Sequence, residues 1–365
     1  MQDSRYENIS IIGDGGMGTV LAMLLCEKRD SSSWFDSFDC AQDRFAHHRS
    51  LGMTLRMWGY DAGQLRQIEQ SRENKKFLPG HKIPASVVFE PDDERIMAGA
   101  DLIVSAVPCQ FMRRIWSRLK DYYPESIPIV SVAKGIENDT LMRPTQILAD
   151  VLEEKLKTGN LKLKTVVLSG PTIADELAMR LPATAAAASV DEELARRVQQ
   201  TFSMPWLRVY TNSDVLGVEL AGAMKNVIAI AAGVIDGIGA GDNAKAALLC
   251  RGLAEITRLG IACGARPETF AGLAGMGDLV TTCISPKGRN RSFGERIGKG
   301  RTVEQAEKAT ESVVEGVATC KSVVALARKY NVEMPITQAV YQVLFENKPV
   351  QTAIADLMKR QLKAE

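Results

Sequence analysis

The sequence predicts an α/β dinucleotide-binding domain of the Rossmann type over residues 1–211 and an all-α domain over 212–365. Three observations carry this. A glycine-rich turn, "IIGDGGMGTV" (11–20), joins an apolar run to a helical one near the N-terminus. Short β-rich apolar runs then alternate with helical text. Past about residue 211 the strand signals fade, and Ala-, Leu- and Gly-rich helical text continues to the end. At 365 residues the chain exceeds one typical domain, so two cores are expected.

In chain order, "ISIIG" (9–13) reads as a strand and "MGTVLAMLLCEK" (17–28) as a helix. "MTLRMWG" (53–59) is a second strand, followed by a helix over 62–74. "SVVFE" (86–90), "DLIVSAVP" (101–108), "IPIVSVAK" (127–134) and "TVVLSG" (165–170) read as further strands, with helices over 110–123 and 141–157. This alternation predicts a parallel sheet covered by helices on both faces. In the second domain, helices are expected over 214–239, 243–263, 302–310, 317–330 and 335–345. One segment fits poorly. The stretch 29–50 separates the first helix from the second strand and reads as an inserted surface loop or hairpin, its aromatics packing locally or against a partner.

Gly13, Gly15 and Gly18 form G-x-G-x-x-G where a strand gives way to a helix. In a dinucleotide fold the first glycine makes the turn, the second admits the pyrophosphate, and the third lets helix and strand pack closely. A tight turn with incidental glycines would give the same letters; the strand before and the helix after favour a cofactor. At the end of the second strand, Asp61 is positioned to accept from a ribose 2′-hydroxyl and Tyr60 to stack on adenine or pack on the helix below. No Arg or Lys stands at 59–61, although Arg66 is within reach, so NAD is favoured over NADP.

Lys225 lies among Ala221, Met224, Val227, Ile228 and Ala229. A desolvated lysine is a candidate proton donor near neutral pH, whereas one that snorkels to the surface is ordinary. Downstream, "GMGDLVTTC" (275–283) contributes Asp278, and Arg289-Asn290-Arg291 offers guanidinium and amide donors suited to a phosphate, or a plain solvated basic loop.

The bulk numbers exclude several classes. A net charge of +1 gives no footprint for nucleic acid or an anionic membrane surface. Seven scattered cysteines without a CxxC pair, and only three histidines, predict no metal site and reduced thiols in a cytoplasmic setting. The opening "MQDSRYENIS" has no apolar targeting segment. The apolar stretch 215–240 is interrupted by Glu219, Lys225 and Asp236, so it is expected to be a helix buried in protein rather than a membrane span.

The order of these motifs resembles the NAD(P)-dependent glycerol-3-phosphate dehydrogenase family over nearly the whole chain. Beyond the glycine turn the resemblance rests on "ENKKFLPGHKIP" (73–84), "SAVPCQF" (105–111), "SVAKGIE" (131–137), "LSGPTIADE" (168–176), "ELAGAMKNVIAIAAGVIDGIGAGDNAKAAL" (219–248), "GMGDLVTTC", "GRNR" and "VVEGV" (313–317). It implies reversible hydride transfer between NAD(P)H and dihydroxyacetone phosphate, giving sn-glycerol 3-phosphate for glycerophospholipid synthesis, by a homodimer. It also implies that Lys225 moves the proton, that Asp278 pairs with it, and that Lys134 sits near cofactor and substrate. Substrate contacts carried over by motif are Gly170, Thr172, Asn226, Thr282, Gly288, Arg289 and Asn290. Cofactor contacts are Gly13, Gly15, Gly16, Met17, Gly18, Tyr60, Asp61, Pro108, Lys134, Ala174, Arg289, Val313 and Glu315.

The chain departs from that pattern in places. Bacterial-type members carry Ser-Trp where Gly16-Met17 stand, NADPH users often have a basic residue where Tyr60 stands, and Gly288 replaces a serine. "FLPGHKIP" and the aromatic after the second strand are similar to eukaryotic-type members. These departures bear on cofactor preference. Two rival functions fit the same architecture: a reductase of another keto or sugar acid, and a dinucleotide-binding sensor without catalysis.

Overall fold

The computed structural model describes residues 6–30, 54–158, 162–310 and 313–362. The expected insertion at 29–50 lies almost wholly outside them. Eight strands form one sheet: β1 (Asn8–Ile12), β2 (Thr54–Trp58), β3 (Val87–Phe89), β4 (Leu102–Ser105), β5 (Ile129–Ser131), β6 (Thr165–Ser169), β7 (Ala183–Ala188) and β8 (Leu207–Asn212). Their order is β3-β2-β1-β4-β5-β6-β7-β8, parallel throughout except between β6 and β7. The helices within this unit are α1 (Gly16–Asp30), α2 (Ala62–Ser71), α3 (Asp93–Met97), α4 (Cys109–Leu119), α5 (Pro144–Thr158), α6 (Ala174–Ala178) and α7 (Glu192–Phe202).

Period-two alternation places the two cores of this unit. Ile11, Met57, Val104 and Val130 point to the face covered by α1, with Leu21 and Leu25. Their neighbours Ile12, Trp58, Ile103 and Ile129 point to the opposite face, against Met112 and Trp116 of α4 and Leu148 and Leu152 of α5. The chain runs outward from β1 through β2 to β3, then returns to β4 on the other side of β1. That reversal opens a crevice at the carboxyl ends of β1 and β4, where doubly wound sheets take their ligands.

Strands β7 and β8 were not among the expected strands. The run "ATAAAA" has little intrinsic β preference and forms a strand through its partners. Ala188 packs with Val167, Val218 and Ala274, so small side chains let the helical unit approach the sheet. The alternation in β8, Leu207 and Val209 buried with Arg208 and Tyr210 outward, was legible.

The helical unit is built on α8 (Val215–Ile238), followed by α9 (Asp242–Ala262), α10 (Pro267–Ala271), a π-turn over Leu273–Gly277, α11 (Asp278–Ile284), α12 (Arg289–Gly298), α13 (Val303–Lys308), α14 (Glu315–Lys329), α15 (Pro335–Phe345) and α16 (Val350–Met358). Asp214 caps α8, its carboxylate accepting from the Gly217 N–H at 2.9 Å, and Gly239 ends it at a φ of 69°. Helix α8 is long and apolar enough to cross a membrane, yet 83% of its most apolar window is buried inside the protein, as expected from its sequence. Glycines set how closely α12 crosses it. A Cβ on Gly233 would lie 1.9 Å from the Arg291 carbonyl oxygen, and one on Gly294 would lie 2.0 Å from that of Ile230. Backbone therefore meets backbone, which brings Asn290 to the Lys225 segment.

Candidate active site

The glycine turn has the sterics of a dinucleotide site. Gly13 adopts a φ of +119°, and a Cβ there would lie 2.8 Å from the Ala106 carbonyl oxygen at the end of β4. A Cβ on Gly18 would lie 2.0 Å from the Gly13 carbonyl oxygen, so close packing of α1 on the turn demands glycine. Gly15 differs: nothing lies within 4 Å of its missing side chain, leaving open space at the N-terminus of α1. The residues fit a pyrophosphate. Gly16 opens α1, with Ala174 3.8 Å from where its Cβ would be, while Met17 packs against the sheet core.

Other predicted residues of this edge fall nearby. Strand β4 ends at Ser105, earlier than expected, and Pro108 caps α4. Glu315 opens α14 and accepts from the Cys109 N–H, joining the "PCQF" and "VVEGV" stretches. Burial pushes its carboxyl pKa up, opposed chiefly by the Arg289 charge. Arg289 is exposed at the start of α12 and donates to the Val313 carbonyl at 3.3 Å.

The catalytic candidates converge where α8 meets the carboxyl ends of β5 and β6. Lys225 does not snorkel: it is 5% exposed. Its Nζ donates to Asp278 Oδ1 and to Thr282 Oγ1, both at 2.6 Å. Asp278 and Thr282 stand one turn apart on α11, so both face α8. Lys134, just past β5, donates to Asp278 Oδ2 at 2.7 Å and to the Gly170 carbonyl, just past β6, at 3.0 Å. Thr172 Oγ1 donates to the same carbonyl at 3.1 Å. Asn226 Nδ2 reaches the Lys134 carbonyl at 3.4 Å, and Asn290 Nδ2 donates to Asn226 Oδ1 at 2.9 Å. Gly288 precedes α12, and a Cβ there would lie 2.9 Å from the Thr282 carbonyl oxygen.

Two ammonium groups share one buried carboxylate. Burial lowers the Lys225 pKa to about 8; the Asp278 carboxylate opposes that shift and the Lys134 charge adds to it. A lysine so placed exchanges a proton near neutral pH.

Not every candidate joins this group. Arg291, two positions past Arg289, turns away to Asp236 at 2.6 Å and Glu295 at 3.0 Å. Of the two arginines, only Arg289 is exposed. Asp61 caps α2 instead of standing free: its Oδ1 accepts from the Gly63 and Gln64 N–H groups at 2.8 and 3.1 Å. Tyr60 is half-exposed, with the Arg114 guanidinium 5.0 Å from its ring centre and bonded to its hydroxyl. The contribution of Arg114, on α4, was not visible in the sequence, because nothing local links it to Tyr60.

Two family models cover the chain. Residues 8–195 match the NAD-dependent glycerol-3-phosphate dehydrogenase N-terminus, and residues 214–355 match the C-terminus of the same family. The chain belongs to the NAD-dependent glycerol-3-phosphate dehydrogenase family. Among relatives in this dehydrogenase family, glycerol-3-phosphate dehydrogenase [NAD(P)+] of Geobacter sp. strain M21 is 44% identical over 359 residues, covering 98% of this chain and 99% of the relative. The crystal structure of glycerol-3-phosphate dehydrogenase from Coxiella burnetii superposes with a TM-score of 0.86 at 31% identity, covering 97% of this chain and 99% of that one. Yeast glycerol-3-phosphate dehydrogenase (Saccharomyces cerevisiae) gives a TM-score of 0.74 at 27% identity, covering 98% and 100%.

Proposed function

We propose that this chain catalyses reversible hydride transfer between NAD(P)H and dihydroxyacetone phosphate, giving sn-glycerol 3-phosphate. The observation that carries the reading is Lys225, buried and bonded to Asp278 and Thr282 beside Lys134, within a chain of this dehydrogenase family. Gly13, Gly15, Gly16, Met17 and Gly18 hold the pyrophosphate with the N-terminus of α1. Tyr60, Asp61, Pro108, Lys134, Ala174, Arg289, Val313 and Glu315 line the rest of the dinucleotide cleft. When bound, the nicotinamide supplies or accepts the hydride.

The chain's own residues do the remainder. Lys225 donates a proton to the oxygen of the reduced carbonyl and removes it in the reverse direction. Lys134 steadies negative charge developing on that oxygen. Asp278 holds both ammonium groups in register. Arg289 takes the substrate phosphate, with Asn290, Asn226, Thr282, Gly170, Thr172 and Gly288 closing the polar wall. We place the boundary between the domains at 211/212, supported by the end of β8 at Asn212 and the Asp214 cap of α8. A homodimer in the cytoplasm, supplying glycerol 3-phosphate for phospholipid synthesis, completes the reading, supported by the family's pattern.

The test is the initial rate with dihydroxyacetone phosphate and NADH or NADPH, on wild type and Lys225→Ala. Turnover that collapses in the variant supports the reading. A folded wild type that binds NADH yet turns over nothing overturns it, and points to another substrate or to a sensor.

A further inference from the structure

Dinucleotide folds of this type place an acid near the end of the second strand, about 20 residues past the glycine turn, where it accepts from the adenosine ribose hydroxyls. Here Gly59 follows β2, and a Cβ on it would lie 2.8 Å from both Cγ and Oδ2 of Asp14. Asp14 comes from the glycine turn itself, between Gly13 and Gly15. Its carboxylate therefore fills the space of the side chain that Gly59 lacks. The group is held in place: Gln64 Nε2 donates to Oδ2 at 2.7 Å, and Asn74 Nδ2 fixes the Asp14 backbone carbonyl at 2.7 Å. A carboxylate accepts about four hydrogen bonds, so those from Gln64 and from its own backbone N–H leave capacity for a ligand hydroxyl. Asp61, the acid nearest the end of β2 in sequence, is exposed and its Oδ1 is spent on capping α2.

We propose that Asp14 accepts the adenosine 2′-hydroxyl and makes the chain select NAD over NADP. This rests on the dinucleotide-binding part of the reading above, and not on the identity of the second substrate. A 2′-phosphate at this point meets a partly buried carboxylate, and like charges in a desolvated setting repel strongly. Arg114 works the other way, since a guanidinium beside Tyr60 attracts phosphate. It is exposed, so water and salt screen its pull, while Asp14 is half-buried and anchored by Gln64. The acid therefore decides.

The experiment is a fluorescence titration of NADH and NADPH, without the second substrate, against wild type, Asp14→Ala, Asp14→Asn and Arg114→Ala, with thermal melts to confirm folding. Asp14→Asn keeps the volume and a partner for Gln64 if alanine fails to fold. Wild type is expected to bind NADH about tenfold or more tighter than NADPH, the scale of one hydrogen bond to a charged group. Both Asp14 variants bring the two affinities together, by weakening NADH, strengthening NADPH, or both. A ratio unchanged in the Asp14 variants overturns the proposal. So does a wild type that prefers NADPH and loses that preference in Arg114→Ala, or a folded wild type that binds neither nucleotide. A protein with the expected ratio but no turnover of dihydroxyacetone phosphate supports Asp14 while sinking the proposed reaction.

Discussion

Lys225 Nζ lies 2.6 Å from one oxygen of the Asp278 carboxylate, and Lys134 Nζ lies 2.7 Å from the other. One acid thus positions two ammonium groups, and balances only one of the two. The excess positive charge, buried at the edge of the sheet, is what a developing oxyanion and a phosphorylated substrate require.

Removing the donor tests its chemistry. Lys225→Ala is expected to lower kcat for dihydroxyacetone phosphate reduction by about 10²–10⁴-fold, the range for a positioned acid–base group. NADH affinity by fluorescence titration stays near wild type. An equal loss of nucleotide binding would assign Lys225 a structural part instead.

The pH dependence has a definite sign. With Lys225 as the proposed proton donor, reduction needs it protonated, so kcat/KM is expected to fall as pH rises through about 8; oxidation then needs the free amine, so its rate is expected to rise through the same value. Asp278 favours the charged lysine, so Asp278→Asn moves both limbs to lower pH. Lys134 disfavours it, so Lys134→Met moves them to higher pH. Profiles in the two directions, on wild type and both variants, check this.

The two arginines flanking Asn290 separate by role. Arg289→Ala is expected to raise KM for dihydroxyacetone phosphate by about 10–100-fold, the scale of losing a charge-assisted hydrogen bond, with kcat little changed. Arg291, 14% exposed and paired with Asp236 and Glu295, contributes to stability: Arg291→Ala lowers Tm and leaves KM near wild type. Steady-state kinetics beside thermal melts would reverse the assignment if the two phenotypes were exchanged.

The glycine turn separates in the same way. Gly15→Ala meets no protein atom within 4 Å, so Tm is expected to hold while NADH binding weakens by about tenfold or more. Gly18→Ala drives a Cβ against backbone and costs about 1–3 kcal/mol or more in stability. Melts with and without NADH distinguish the two, and a Gly15→Ala protein that binds NADH normally would remove the pyrophosphate from this position.

Much of this was legible in the chain. The glycine turn, six of the eight strands, the long helix around Lys225 and the candidates Asp278 and Arg289 follow from local patterns, whereas Lys134 follows only from the family resemblance. Strand β8 was missed although its alternation was visible, whereas β7 was missed because an alanine run becomes a strand only through its neighbours.

By itself, the sequence determined the first six strands, the long central helix and which residue types could carry the chemistry, because periodicity and glycine sterics act between near neighbours. The tertiary structure alone decided how those residues are used. Lys225 and Asp278 meet across 53 residues, and Lys134 and Asp278 across 144. Asp61 became a helix cap, Arg291 turned to Asp236, and Asp14 moved into the room left by Gly59. An acid or an arginine carries the same charge wherever it stands. Its role is set by the partners and the burial that folding supplies, and those come from distant parts of the chain.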